Sequence, residues 1–228
     1  MALLSFCGIS TPSLPAQGEQ RRSPIFNIPR DIPLISDHFV ASIAALLLAG
    51  EDRTLLVSCQ RISEAFAAAL RASGKLLFAG NGGSAGDAQH IAGEFVSRLN
   101  FDRAPLAALA LTVDTSVLTA VGNDYGYERV FERQVLALGR AGDVFVGIST
   151  SGRSCNVLAA LAAARKRGLT TIGFGGAGGG EMERFCDLLL AVPSTSTPLI
   201  QQIHIVAAHA ICGQVEADLF EPSASNLA

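Results

Sequence analysis

The chain has no tryptophan, only two tyrosines and two methionines, and just 16% of its 228 residues are charged. With a formal net charge of -3 and 6% aromatics, it lacks the basic, base-stacking face that nucleic-acid binding needs. No apolar run reaches the length of a bilayer span, so no membrane segment is expected. The opening stretch MALLSFCGIS is apolar but lacks a basic n-region, and no signal peptide is expected. The five cysteines (Cys7, Cys59, Cys155, Cys186, Cys212) are odd in number and show no CxxC spacing, which points to free thiols in a reducing cytoplasm. What the chain does have is apolar bulk. Hydrophobic residues make up 49% of it, enough for a large core, and its length suits one α/β domain.

Residues 1–33 are rich in Ser, Pro, Gln and Arg without a sustained period, and read as a flexible arm before a domain over 34–222 and a short tail over 223–228. Asp37–Ala49 and Arg53–Ser73 carry Ala and Leu at helical spacing and form an expected N-terminal helical pair. The rhythm then changes. KLLFAG, LAALALTV (Leu106–Val113), DVFVGIS, TTIGFG and DLLLAV are short apolar runs that read as buried strands. Helices are expected over Ala85–Leu99, Thr115–Gly122, Tyr125–Leu138, Asn156–Arg167 and Pro198–Leu219. Strands alternating with helices imply a parallel sheet covered on both faces, with ligands beyond the carboxyl ends of the strands.

Two loops fall at that edge. GNGGS (Gly80–Ser84) follows one strand and opens a helix, and STSGRS (Ser149–Ser154) repeats the arrangement with four hydroxyls. Glycine lets backbone approach a ligand, and a helix N-terminus offers free N–H groups to an anion. Neither loop has the lysine of a P-loop or the spacing of GxGxxG, so a nucleotide is disfavoured. Glycine and serine after a strand also make ordinary turns and caps. Two such loops together favour a small phosphorylated ligand. The run GGAGGG (Gly175–Gly180) lacks hydroxyls and reads as a mobile loop. GNDYG (Gly122–Gly126) puts Asn123 and Asp124 in a polar turn.

His90 and Glu94 stand at i and i+4 and share a helix face, with Asp87 one turn earlier on the same side. Imidazole and carboxylate suit zinc or another divalent ion, although a surface His/Glu pair has the same spacing. The last helix adds Gln201, His204 and His209 to an otherwise apolar run. Gln201 and His209 are about 80° apart around an ideal helix and roughly 12 Å apart along it. If both serve one ion, either the Gln201 end is bent or the two come from different subunits. His204 points elsewhere and reads as core or as support behind the ligands.

The succession GNGGSAGDAQHIAGEF, TAVGNDYGYERVF, GDVFVGISTSGRS, CDLLLAVPS and TPLIQQIH, with the spacing on to His209, resembles the sugar isomerase (SIS) domain family, and within it the phosphoheptose isomerases. The likeness runs from about Ile35 to Phe220. It implies a three-layer αβα sandwich with a flavodoxin-like central parallel sheet, and a homotetramer with active sites between subunits. It implies a divalent ion, usually zinc, held by His90, Glu94, Gln201 and His209. It places substrate on Asn81, Gly82, Gly83, Ser84, Glu94, Asn123, Asp124, Ser149, Thr150, Ser151, Ser154 and Gln201. Glu94 and His209 are then the expected base and acid of an aldose–ketose isomerisation of sedoheptulose 7-phosphate. The product would feed ADP-heptose synthesis for the lipopolysaccharide core. Leu199 and Gln202 depart from the family pattern, which often has a basic residue and a glutamate beside Gln201. The rival reading is a SIS protein that binds sugar phosphate, or a replication-initiation factor, without catalysis.

Overall fold

The computed structural model describes residues 32–220; the arm up to residue 31 and the tail over 223–228 lie outside the described residues. Two helices come first, α1 (Pro33–Glu51) and α2 (Arg53–Arg71). They meet at Asp52, whose carboxylate accepts from the backbone N–H groups of Thr54 and Leu55 and so caps α2. The remaining elements alternate: β1 (Leu76–Gly80), α3 (Gly83–Val96), β2 (Ala108–Ala110), α4 (Thr115–Tyr125), α5 (Val130–Leu138), β3 (Val144–Ser149), α6 (Cys155–Lys166), β4 (Thr170–Gly175), β5 (Leu188–Ala191) and α7 (Thr197–Phe220).

The five strands are parallel in the order β2-β1-β3-β4-β5. That is the flavodoxin-like order, which reverses direction between β1 and β3 and opens a crevice there. Strand residues alternate between two cores. Leu76, Phe78, Val144, Val146 and Ile148 face α2, α3 and α7, whereas Leu77, Ala79 and Phe145 face α5 and α6. On the first face Phe66 meets Phe78 and Phe95 edge-on at 6.0 and 5.7 Å. The three-layer αβα architecture is therefore the one expected.

Several boundaries differ. β2 pairs over three residues only, from Leu76↔Ala108 to Phe78↔Ala110, because it is an edge strand and the chain leaves it for α4. Asn123 and Asp124 lie in the last turn of α4, not in a turn between helices. The break comes at Gly126, whose φ of 91° only glycine takes without strain. The glycine run after β4 is stitched to its neighbours rather than loose. Gly176 N–H donates to Thr150 O, Ala177 N–H to Ser194 O, and Met182 N–H to Gly152 O.

Helix α1 amends the reading of apolar runs. By length and composition it is apolar enough to cross a membrane, with only 17% of its most apolar window buried. Here it packs along α7 and α2 and leaves Leu34, Phe39, Leu47 and Leu48 exposed.

Candidate functional site

Both hydroxyl-bearing loops emerge at the β1/β3 crevice. After β1 the chain turns at Gly82 (φ 58°) and enters α3 without any side-chain cap. Gly83 permits a close approach: a Cβ there would sit 2.5 Å from the Gln201 amide nitrogen. After β3, the Ser154 hydroxyl occupies the N-cap position of α6 but does not cap it. It pairs instead with Ser149 Oγ at 2.9 Å. By contrast, α2 and α4 are capped by Asp52 and Asp114. Ser84 and Ala85 N–H already donate to Asn81 O and Gly82 O, and Val157 N–H to Asn156 Oδ1, so the first-turn N–H groups left for an anion are those of Gly83, Cys155 and Asn156.

The side chains around the crevice are ordered by short contacts. Ser84 and Ser149 are buried. Thr150 Oγ1 lies 3.5 Å from Thr197 Oγ1, and Ser151 Oγ accepts from Arg153 N–H. Asn81 exchanges two amide hydrogen bonds with Asn156. Tyr127 Oη donates to Asn81 Oδ1 at 3.4 Å, which brings the α4–α5 junction to the crevice. Asn123 Nδ2 donates to Asp124 Oδ1, both side chains exposed on the same segment.

Two turns into α3 the chemistry changes. His90 Nε2 faces His209 Nε2 at 2.8 Å and Glu94 Oε1 at 3.2 Å. One donor atom from each of the three residues lies within 4.8 Å of the others. Two imidazoles and a carboxylate with donor atoms this close are of the kind that a divalent ion such as zinc takes. The residues therefore fit a divalent ion. Asp87 stands beside this set. Burial raises its carboxyl to about 6 against the opposing pull of His90, and its Oδ2 is buried with no partner among the described residues.

Helices α3 and α7 run side by side in the same direction, so contacts step along both. Gln201 meets Ser84, His209 meets His90, and Glu216 meets the segment after α3. α7 is unbroken over its 24 residues. Within one chain Gln201 therefore sits by the first loop, not with the three converging donors, and a bend does not bring it there. His204 is fully buried, with Nε2 3.1 Å from Gly175 O. Burial pushes its imidazole down to about 4, while the carbonyl pulls the other way.

A SIS-domain family model matches residues 38–176, more than half of the chain. This chain belongs to the SIS-domain family. Within that family it is 57% identical over 178 residues to a phosphoheptose isomerase of Burkholderia pseudomallei, across 78% of this chain and 89% of that one. Among solved structures, a phosphoheptose isomerase of Neisseria gonorrhoeae superposes with a TM-score of 0.76 at 45% identity, covering 81% of this chain and 97% of that one. One from Francisella tularensis gives 0.78 at 34% identity, with the same coverage.

Three residues that hold the crevice or the helix bearing His90 and Glu94 escape a reading of the sequence. Asn156 and Tyr127 join the loop residues from distant positions, and Arg103 holds the end of α3. Its guanidinium donates to the carbonyls of Glu94, Phe95, Ser97 and Ala104 and to Glu216 Oε1. Tyr127 lies within the stretch TAVGNDYGYERVF, but nothing in the sequence marks it as a partner of Asn81, and Asn156 and Arg103 lie outside the quoted motifs. Only the folded chain reveals their partners.

Proposed function

We propose that this chain is an aldose–ketose isomerase that converts sedoheptulose 7-phosphate to D-glycero-D-manno-heptose 7-phosphate through an enediol. The observation that carries the reading is the convergence of His90, Glu94 and His209 beside two uncapped helix N-termini, in a chain so similar to phosphoheptose isomerases. The reaction moves hydrogen between C1 and C2. It needs a base at carbon, an acid at oxygen and stabilisation of the charge that develops between them.

In this reading the phosphate is held by Ser84, Ser149, Thr150, Ser151 and Ser154 and by the backbone of Gly82 and Gly83. Asn81, Asn123, Asp124 and Gln201 flank the rest of the sugar. Binding far from the reacting carbons orients the chain for proton transfer. Glu94 takes the proton from C1 and returns one at C2, while His209 moves a proton at the sugar oxygens. His90, Glu94 and His209 would hold a zinc ion, with Gln201 completing the set from another copy of the chain. Such an ion supplies Lewis-acid stabilisation of developing oxygen charge. The exposed apolar side chains of α1 support association into a homo-oligomer, with a tetramer as the proposed state. A cytoplasmic location follows from this reading of a soluble metabolic enzyme, as does a role early in ADP-heptose synthesis.

The test is to incubate the purified protein with sedoheptulose 7-phosphate and follow the sugar by NMR. Formation of the aldoheptose phosphate is expected. Tight binding of the sugar phosphate without conversion, by folded metal-loaded protein, would replace this reading with the non-catalytic one.

A further inference from the structure

The crevice between β1 and β3 is spanned by one pair of amides, which joins two loops that otherwise diverge. Asn81 is the first residue after β1, and Asn156 is the second residue of α6. Asn81 Nδ2 donates to Asn156 Oδ1, and Asn156 Nδ2 donates to Asn81 Oδ1, each at 2.9 Å. Asn156 Oδ1 also accepts from the backbone N–H of Val157 at 2.9 Å. That third bond fixes which way round the Asn156 amide sits: its oxygen must face the backbone donor, so its nitrogen must face Asn81. Asn156 is only 4% exposed, so it is shielded from bulk water. A buried amide with both ends paired is rigid, and breaking one partner leaves the other unsatisfied.

We propose that Asn156 is a positioning residue that, through Asn81, fixes the separation of the two anion-binding loops. The proposal rests on the sugar-phosphate reading given above and extends it to a residue that does not touch the ligand. The geometry supports it from three sides. β1 and β3 pair as far as Gly80↔Ile148, but beyond that α3 leaves on one face of the sheet and α6 on the other, so no shared core holds their N-termini together. The amide pair bridges them across 75 positions of sequence. It also occupies much of Asn81. Asn81 Oδ1 takes Asn156 and Tyr127, and one of its two amide hydrogens goes to Asn156. Its carbonyl accepts from Ser84 N–H, so one amide hydrogen and the backbone N–H are what Asn81 retains for a ligand. The side chain expected from the sequence to bind substrate thus works largely as half of a strut.

A strut of this kind acts on binding more than on the chemical step. Its removal lets the loops drift apart at the phosphate end, while His90, Glu94 and His209 keep their own supports along α3 and α7. The measurements are the dissociation constant of inorganic phosphate, the KM and kcat for sedoheptulose 7-phosphate, and the zinc content. They are made on wild type, Asn156→Ala, Asn156→Asp, Asn81→Ala and the double alanine variant, each with its melting temperature. For Asn156→Ala a rise of about tenfold in phosphate Kd and in KM is expected, with kcat changed less and zinc content unaltered. Asn156→Asp keeps the acceptor for Val157 but cannot donate to Asn81 and adds negative charge, so it should bind phosphate more weakly still. The double variant should be no weaker than the worse single one, because both lose the same contact.

Wild-type phosphate binding in folded Asn156→Ala would overturn the proposal, as would additive losses in the double variant. If Asn156→Ala does not fold, Asn156→Asp, which keeps the bond from Val157 N–H, carries the same expectation alone. A wild-type protein that binds neither phosphate nor sugar phosphate would overturn the underlying functional reading instead, and is distinguishable because no variant is needed to see it.

Discussion

Replacing Arg103 by alanine removes the clamp on the C-terminal end of α3, the helix that carries His90 and Glu94. Arg103 and Glu216 side chains are 2% and 1% exposed, and their nitrogen and oxygen meet at 3.0 Å. Glu216 also accepts from the N–H groups of Leu99 and Asn100, at 2.8 and 2.9 Å. Burial alone would raise its carboxyl, but the two backbone donors and the Arg103 charge together hold it below the ordinary glutamate range. Breaking a buried pair from one side costs about 3–5 kcal/mol. Glu216 keeps its two backbone donors in the variant, so the lower figure, about 3 kcal/mol, is expected. For a chain of this size that corresponds to a fall of roughly 6–12 °C in Tm. The assay is thermal unfolding at fixed protein concentration, since association would otherwise shift the midpoint. Arg103→Lys should recover little, because one ammonium cannot reproduce a fork that serves four carbonyls and a carboxylate. A fall of less than about 2 °C in Arg103→Ala would refute the reasoning, since a loss that small is a surface-type effect.

His204 gives a pH-dependent expectation. Its folded pKa of about 4 lies below the ordinary histidine value, so the unfolded chain binds the extra proton first and stability falls as pH drops from about 6.5 to 4. The loss is about 3 kcal/mol over that window, and His204→Leu should flatten that part of a stability–pH curve; an unchanged slope would contradict it. Glu94→Gln should abolish turnover of sedoheptulose 7-phosphate while sugar-phosphate binding persists, measured by calorimetry. Wild-type-like activity in that variant would remove Glu94 from its role as base.

The strands were legible because parallel strands buried on both faces read as unbroken apolar runs: Leu76–Gly80, Val144–Ser149 and Thr170–Gly175 lie within one residue of the expected limits. Edge strand β2 was overestimated because Leu106–Val113 has the same composition but only three residues find a partner. The polar stretch Asn123–Asp124 looked like a turn because its residue types favour turns, yet the helix runs on until Gly126. His90, Glu94 and His209 were visible through helical spacing and family resemblance, and the fold brings them together. Asn156, Tyr127 and Arg103 were not visible. Asn81, the partner of Asn156 and Tyr127, and Glu216, the carboxylate partner of Arg103, are far away in sequence, and periodicity does not mark a residue whose work is to hold another in place. A membrane span was excluded from the apolar runs because Asp37 and His38 interrupt this stretch, yet the helix as a whole is long and apolar enough to cross a bilayer.

In the proposed reaction, sugar-phosphate isomerisation depends on a metal centre formed by His90, Glu94 and His209. The most direct measurement is metal content and turnover of sedoheptulose 7-phosphate on the same samples: as purified, stripped by chelator, and restored with zinc. Loss of turnover in step with loss of metal, and its return with about one zinc per chain, is the expected result. Undiminished turnover in protein verified to be free of metal would contradict the claim.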